Sequence, residues 1–139
     1  MDWGERRVGL AVSDPRGVIA TGLETVEART TDAAVDRIAA VASAYEVELI
    51  VVGLPLLMSG EHGPAAESAL RFARSLEAKT GLTVETYDER LTSALSARRL
   101  REVGVKTGHA RARVDQGAAV ALLESYLARH GSRARDSGA

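Results

Sequence analysis

Apolar residues take alternate places near the start of the chain, with Val8, Leu10 and Val12 separated by Gly9 and Ala11, and that period of two predicts a strand. Asp2, Trp3 and Gly4 would close an earlier strand, with Glu5 to Arg7 turning the chain between the two. Pro15, Arg16 and Gly17 form the next turn, and Val18 to Val26 reads as a third strand antiparallel to the second. Thr30 and Thr31 can cap a helix in which Val35, Ile38, Ala42 and Tyr45 recur at three and four, ending near Tyr45. The unbroken apolar run Leu49 to Val52 has the pattern of a parallel central strand covered on both faces. A long loop follows from Leu54 to Pro64. Pro64 then opens a second helix with the stripe Ala69, Phe72, Ala73 and Leu76, and Gly81 stops it. Leu82 to Tyr87 predicts a fifth strand. A third helix is expected from Thr92 or Ser93 to Val103 and a last one from about Ala112 to His130, joined by the basic linker Gly104 to Arg111. The sum is an α/β layer fold whose five-stranded mixed sheet has three antiparallel strands and then two parallel ones, flanked by helices. Residues 1–130 are expected to form one domain and 131–139 a flexible tail.

Composition narrows the classes without choosing among them. The chain has 139 residues, 45% of them hydrophobic and 27% charged, enough to bury a core within about one domain. It has no cysteine, so neither disulfides nor thiolate metal sites carry the fold, which fits a reducing cytoplasm. No apolar run approaches the length of a membrane span, and no membrane partner is expected. Net charge is −1, but 16 of the 18 basic residues are arginine, and Arg98, Arg99, Arg101, Lys106, Arg111 and Arg113 fall in one short region. Phosphate recognition is one use of such a cluster, and a solvated helix face is the plainer one.

The acids carry the chemistry. Asp2 stands at a strand end, where a surface turn would explain it and a metal ion would give it more to do. Asp88 and Glu89 follow the fifth strand. Asp115 shares a stripe with Ala118, Ala119, Leu122 and Tyr126, although a helix-start aspartate also serves the helix dipole. Carboxylates gathered at strand ends suit hard cations such as Mg²⁺ or Mn²⁺, and two such ions about 4 Å apart can drive phosphodiester hydrolysis. Without metal, like-charged carboxylates held close are expected to raise one another's pKa. Arg90 behind them is expected to hold the neighbouring acids. His62, His109 and His130 share no metal-binding spacing and read as exposed residues, and neither a P-loop nor a Gly-x-Ser-x-Gly elbow occurs.

The segments Asp2-Trp3-Gly4-Glu5-Arg6-Arg7-Val8-Gly9, Ala11-Val12-Ser13-Asp14, Val52-Gly53-Leu54-Pro55, Asp88-Glu89-Arg90-Leu91-Thr92 and Asp115-Gln116-Gly117-Ala118-Ala119 resemble, in order and spacing, the motifs of the YqgF/RuvX family. That resemblance implies a ribonuclease H-like fold and a bacterial cytoplasmic nuclease, described either as a Holliday junction resolvase or as a maturase of the 16S rRNA precursor. It also implies that Asp2, Asp88, Glu89 and Asp115 are the catalytic, metal-binding acids. Arg6 stands where the family often has lysine. The family also has several apolar residues before its first aspartate where this sequence has Met1 alone, so an upstream segment completing that strand is expected. Intact mass of the protein from its own cells tests this.

Three classes of function follow. In the first, a metal-dependent nuclease, Arg6, Arg7, Arg98, Arg99, Arg101, Arg111 and Arg113 hold the backbone of structured RNA or branched DNA. In the second, an actin-like sugar kinase or ATPase, the Asp-x-Gly hairpin would bind phosphate, but such proteins close two domains on ATP and this chain has length for one. The third is a non-catalytic protein that binds RNA or transcription complexes. A junction resolvase needs two sites related by two-fold symmetry. The predicted helix surfaces are mostly charged, with Leu56, Leu57 and Met58 the one apolar candidate, so a monomer or weak homodimer acting on an rRNA precursor is favoured over a resolvase dimer.

Overall fold

A computed structural model describes residues 7–57, 59–91 and 108–137, with the side chains of the last helix described from Gln116 to His130. The elements are β1 (Arg7–Ser13), β2 (Ala20–Glu27), α1 (Thr31–Ala44), β3 (Leu49–Leu54), α2 (Pro64–Thr80), β4 (Thr83–Asp88), a 3₁₀ turn (Glu89–Leu91) and α3 (Gly108–Ser137). This is an α/β fold. Where one five-stranded sheet was expected, the described strands form two two-stranded sheets, β1 with β2 and β3 with β4. The expected strand ending at Asp2 and the expected helix from Thr92 or Ser93 to Val103 lie outside the described residues. The chain divides into two compact units, Met1–Val8 with Val26–Arg90, and Gly9–Thr25 with Leu91–Ala139.

In the first unit the parallel pair is β3 and β4, in a register that sets Gly53 beside Tyr87 and Leu54 beside Asp88. Both strands therefore end at the same level. Helix α2 packs on this pair and on α1. Its stripe Ala66, Ala69, Phe72, Ala73 and Leu76 is buried, with Leu76 only 1% exposed. Pro64 begins the helix and Gly81, at φ 72°, ends it, as the sequence predicts.

Helix α1 starts on the Thr30 cap, whose Oγ1 accepts the Ala33 N–H at 3.1 Å. Tyr45, expected on its apolar stripe, is 53% exposed, because the helix stops one residue earlier and the stripe closes at Ala42. The stop is a Schellman turn in which Val47 N–H donates to Ala42 O and Glu46 N–H to Ser43 O. Glu46 occupies its left-handed position at φ 52°, a conformation that costs an L-residue about 1–2 kcal/mol. Glu46→Gly is therefore expected to stabilise the protein by about 0.5–1 kcal/mol, once glycine's greater unfolded-state entropy is subtracted. Urea unfolding measures it, and a lower midpoint would contradict this account.

In the second unit six residues join β1 to β2, too few for a crossover, so the two strands run antiparallel as expected. Asp14 closes that turn. Its N–H donates to Ile19 O at 3.0 Å, and its Oδ1 accepts from Val18 N at 2.7 Å and Ile19 N at 2.9 Å. The closure holds Val18 and Ile19 out of the strand, 61% and 62% exposed, so β2 begins at Ala20 rather than at Val18. The amide bonds, Ile19's first and Val18's next, favour the charged form and lower the Asp14 pKa. A depressed carboxylate pKa contributes stability that is complete above the ordinary carboxylate value and is lost as pH falls through the folded value. Acid titration followed by NMR should show the Val18 and Ile19 amides releasing together below the ordinary carboxylate range. Release above that range would refute the assignment.

Helix α3 starts before Ala112 and continues past His130 to Ser137, through the segment expected as a tail. Gly131 costs a helix about 1 kcal/mol, and no proline follows to stop it. Leu122, Tyr126 and Leu127 are buried on it.

Candidate active site

The carboxyl ends of β3 and β4 hold the predicted acids of the first unit that are described, Asp88 and Glu89. In an open α/β sheet this is the end at which loops leave the strands and ligands bind. At the end of β4 the chain tightens into the 3₁₀ turn Glu89–Leu91, which separates two adjacent acids into two environments.

Glu89 is buried, 9% exposed, a rare setting for a carboxylate. Its side chain lies over Gly53 of β3. A Cβ built at Gly53 would stand 2.8 Å from Glu89 Oε1, 3.2 Å from Cγ and 3.4 Å from Cδ. The glycine is therefore the floor of a cradle for this carboxylate.

Asp88 meets Arg90 instead. Arg90 Nη2 donates to Asp88 Oδ2 at 2.7 Å, Nε donates to both carboxylate oxygens at 3.0 and 3.1 Å, and the Arg90 N–H reaches Oδ1 at 2.9 Å. A forked guanidinium on a carboxylate is the strong form of ion pair. It holds the Asp88 carboxyl below the usual carboxylate range, against the opposing effect of partial burial. The mutual raising of pKa expected for paired acids is thus overturned at Asp88, because a cation rather than the neighbouring carboxylate dominates its surroundings.

The loop after β3 is folded back on itself: Gly60 N–H donates to Leu57 O at 2.8 Å and Leu57 N–H to Glu61 O at 3.0 Å. Gly60 takes φ 89°, and a Cβ there would stand 3.5 Å from Arg90 Nη1. Arg90 thus lies between the Asp88 carboxylate and this loop.

Of the other predicted site residues, Asp2 and Arg6 lie outside the described residues, as do Arg98, Arg99 and Arg101. Asp115, Arg111 and Arg113 are placed on α3 by its backbone. Arg7 is described: its Nε is 3.4 Å from Glu27 Oε1, and its side chain is only 17% exposed. His62 is exposed, as expected, 3.9 Å from Glu67. His130 is partly covered by Tyr126, ring centroids 4.7 Å apart. His109 lies on α3 rather than in a loop. Among the described residues no three His, Asp or Glu side chains converge on one point, and Asp88 and Glu89 are the members of the predicted acid set whose side chains are described.

A family profile described as RuvX, Holliday junction resolvase, matches residues 1–129. The chain belongs to the RuvX family. Among its RuvX relatives a protein of Chloroflexus aggregans, named "Putative pre-16S rRNA nuclease", is 43% identical over 127 residues, which cover 91% of this chain and 89% of the relative. Proteins of the same name from Myxococcus xanthus (41% over 130 residues, 94% of this chain and 86% of the relative) and Listeria monocytogenes (42% over 129 residues, 91% and 94%) are similar to the same degree.

The RuvX segment Val52-Gly53-Leu54-Pro55 thereby acquires a physical meaning, since Gly53 clears the space that Glu89 fills. In the sequence it stands only as one of the segments that resemble the family motifs. A glycine inside an otherwise apolar strand run signals a close approach, and that signal was present.

Proposed function

We propose that this chain is a metal-dependent nuclease that hydrolyses phosphodiester bonds and acts in maturation of the 16S rRNA precursor. The observation that carries the reading is the buried Glu89 carboxylate cradled over Gly53 at the carboxyl end of a parallel strand pair. RuvX membership and the names of the relatives point the same way. The site is assigned to Asp2, Asp88, Glu89 and Asp115. That set offers carboxylate oxygens only, the donor chemistry of Mg²⁺ or Mn²⁺, and one of its members lies buried against Gly53. A divalent cation bound there supplies water activation and charge neutralisation at the scissile phosphate.

The protein's own groups do the rest. Glu89, in the turn after β4, is assigned as the principal ligand of the pair because its carboxylate is buried over Gly53, and Asp88, ion-paired with Arg90, keeps that guanidinium beside the loop after β3. Arg6, Arg7, Arg98, Arg99, Arg101, Arg111 and Arg113 are assigned to the nucleic-acid backbone. Of these, Arg7 must share its charge with Glu27. The remaining features of the reading are a ribonuclease H-like, five-stranded mixed sheet completed by the strand ending at Asp2, one domain over residues 1–130, a cytoplasmic location, and a monomer or weak homodimer. Among the described residues no helix is long and apolar enough to cross a membrane.

Incubation with a ribosomal precursor fragment and with a synthetic four-way junction, each with Mn²⁺ and with EDTA, tests the proposal. Mn²⁺-dependent cleavage of the RNA is expected, and sedimentation should show no stable dimer. Paired symmetric nicks in the junction by a stable dimer, with the RNA untouched, would favour the resolvase of the family description instead. No cleavage of either substrate would leave a binding protein.

A further inference from the structure

Gln116 is a polar side chain, partly buried, near the start of the described part of α3, and it does not face water alone. Its Nε2 donates to Leu23 O of β2 at 2.9 Å, across 93 residues of sequence. Beneath it lies Gly22. A Cβ built there would stand 2.5 Å from Gln116 Cγ, 2.7 Å from Cδ and 2.9 Å from Nε2, distances no real side chain would tolerate. The amide arm thus rests flat on a glycine and ends on the neighbouring carbonyl. Such a contact defines two coordinates of the helix at once, its height along the strand and its rotation, because each residue of an α-helix advances about 1.5 Å and 100°. The residue immediately before Gln116 is Asp115.

We infer that Gln116 and Gly22 form a latch that positions the Asp115 segment of α3 for metal binding, an inference that rests on the nuclease reading above. Neither residue touches the reacting atoms; both are positioning residues. A ligand has to be held within about 0.5 Å, and a helix free to slide or turn by a fraction of a residue step exceeds that. The latch needs an amide at 116, for reach and for its N–H, and no side chain at 22. Loss of a residue that orients a metal ligand typically lowers affinity or activity by about 10- to 100-fold.

The test uses the whole chain, with Gln116→Met, which keeps the length and removes the N–H, and Gly22→Ala, which keeps the amide and pushes it aside. Mn²⁺ affinity is read directly from the electron paramagnetic resonance of free Mn²⁺, alongside kcat, KM for the precursor RNA and Tm. Each variant is expected to bind Mn²⁺ about 10-fold or more weakly and to lose about 10- to 100-fold in kcat with KM unchanged. The double variant should be no worse than the weaker single, since both break one contact. Wild-type Mn²⁺ affinity and kcat per folded molecule, whatever happens to Tm, would overturn the latch and leave a packing contact only. If Gln116→Met does not fold, Gly22→Ala decides, because a flexible side-chain arm can swing away from a methyl group. Asp115→Asn separates the two levels. Loss of Mn²⁺ affinity there with a wild-type Gln116→Met removes the latch alone, whereas unchanged affinity in Asp115→Asn removes the metal role of Asp115 and the latch with it.

Discussion

Glu89→Gln should lower Mn²⁺-dependent cleavage on the order of 10³-fold or more, with the fold intact and KM for RNA little changed. Glutamine keeps the shape that fits over Gly53 and removes the charge a cation needs, so the loss reports chemistry rather than packing. Asp88→Asn should cost far less, about 10-fold, because Asp88 spends its charge on Arg90. Steady-state kinetics on the precursor RNA distinguish the two acids. If Asp88→Asn were the inactive variant and Glu89→Gln the mild one, Asp88 would be the principal ligand, and Arg90 would have to leave it when metal binds.

Gly53→Ala is expected to lower kcat as well, less steeply, without removing any functional group. The new methyl would meet Glu89 Oε1 at 2.8 Å, inside any normal contact, and would displace the carboxylate by several tenths of an ångström. The group displaced is the far end of a flexible side chain, so the strand pair survives and Tm falls only modestly. Misplacement of a catalytic group by about 1 Å costs about 10²-fold in rate, so a shift of several tenths of an ångström is expected to lower kcat by about 10- to 100-fold. Gly53→Val should be worse, since its branches also press on Glu89 Cγ and Cδ. A Gly53→Ala enzyme with wild-type kcat would mean that the placement of Glu89 over Gly53 does not matter to catalysis.

Much of the scaffold is legible in the sequence. The Thr30 cap, the Pro64 start, the Gly81 stop and the α2 stripe are local signals, written within four residues of the structure they produce. Where such signals misled, the cause was also local. Val18 and Ile19 have strand composition, but Asp14 binds both of their amides and holds them in the turn. Residues after His130 look like a tail, yet nothing among them breaks a helix strongly enough to end α3. The charge state of Asp88 was not legible, because adjacency to Glu89 suggests repulsion while the 3₁₀ turn brings Arg90 back onto the carboxylate.

By itself the sequence determined the element types, the family and the acids worth watching, because periodicity, caps and motif order are properties of neighbouring residues. Tertiary structure alone decided what each acid does. Glu89 is set over a glycine of another strand and Asp88 is clamped by an arginine, and the parallel register that brings Leu54 level with Asp88 places Gly53 under Glu89. The contact of Gln116 with Gly22 and Leu23 joins residues far apart in the chain. Distances of that kind come from packing a helix on a strand, and no local pattern encodes them.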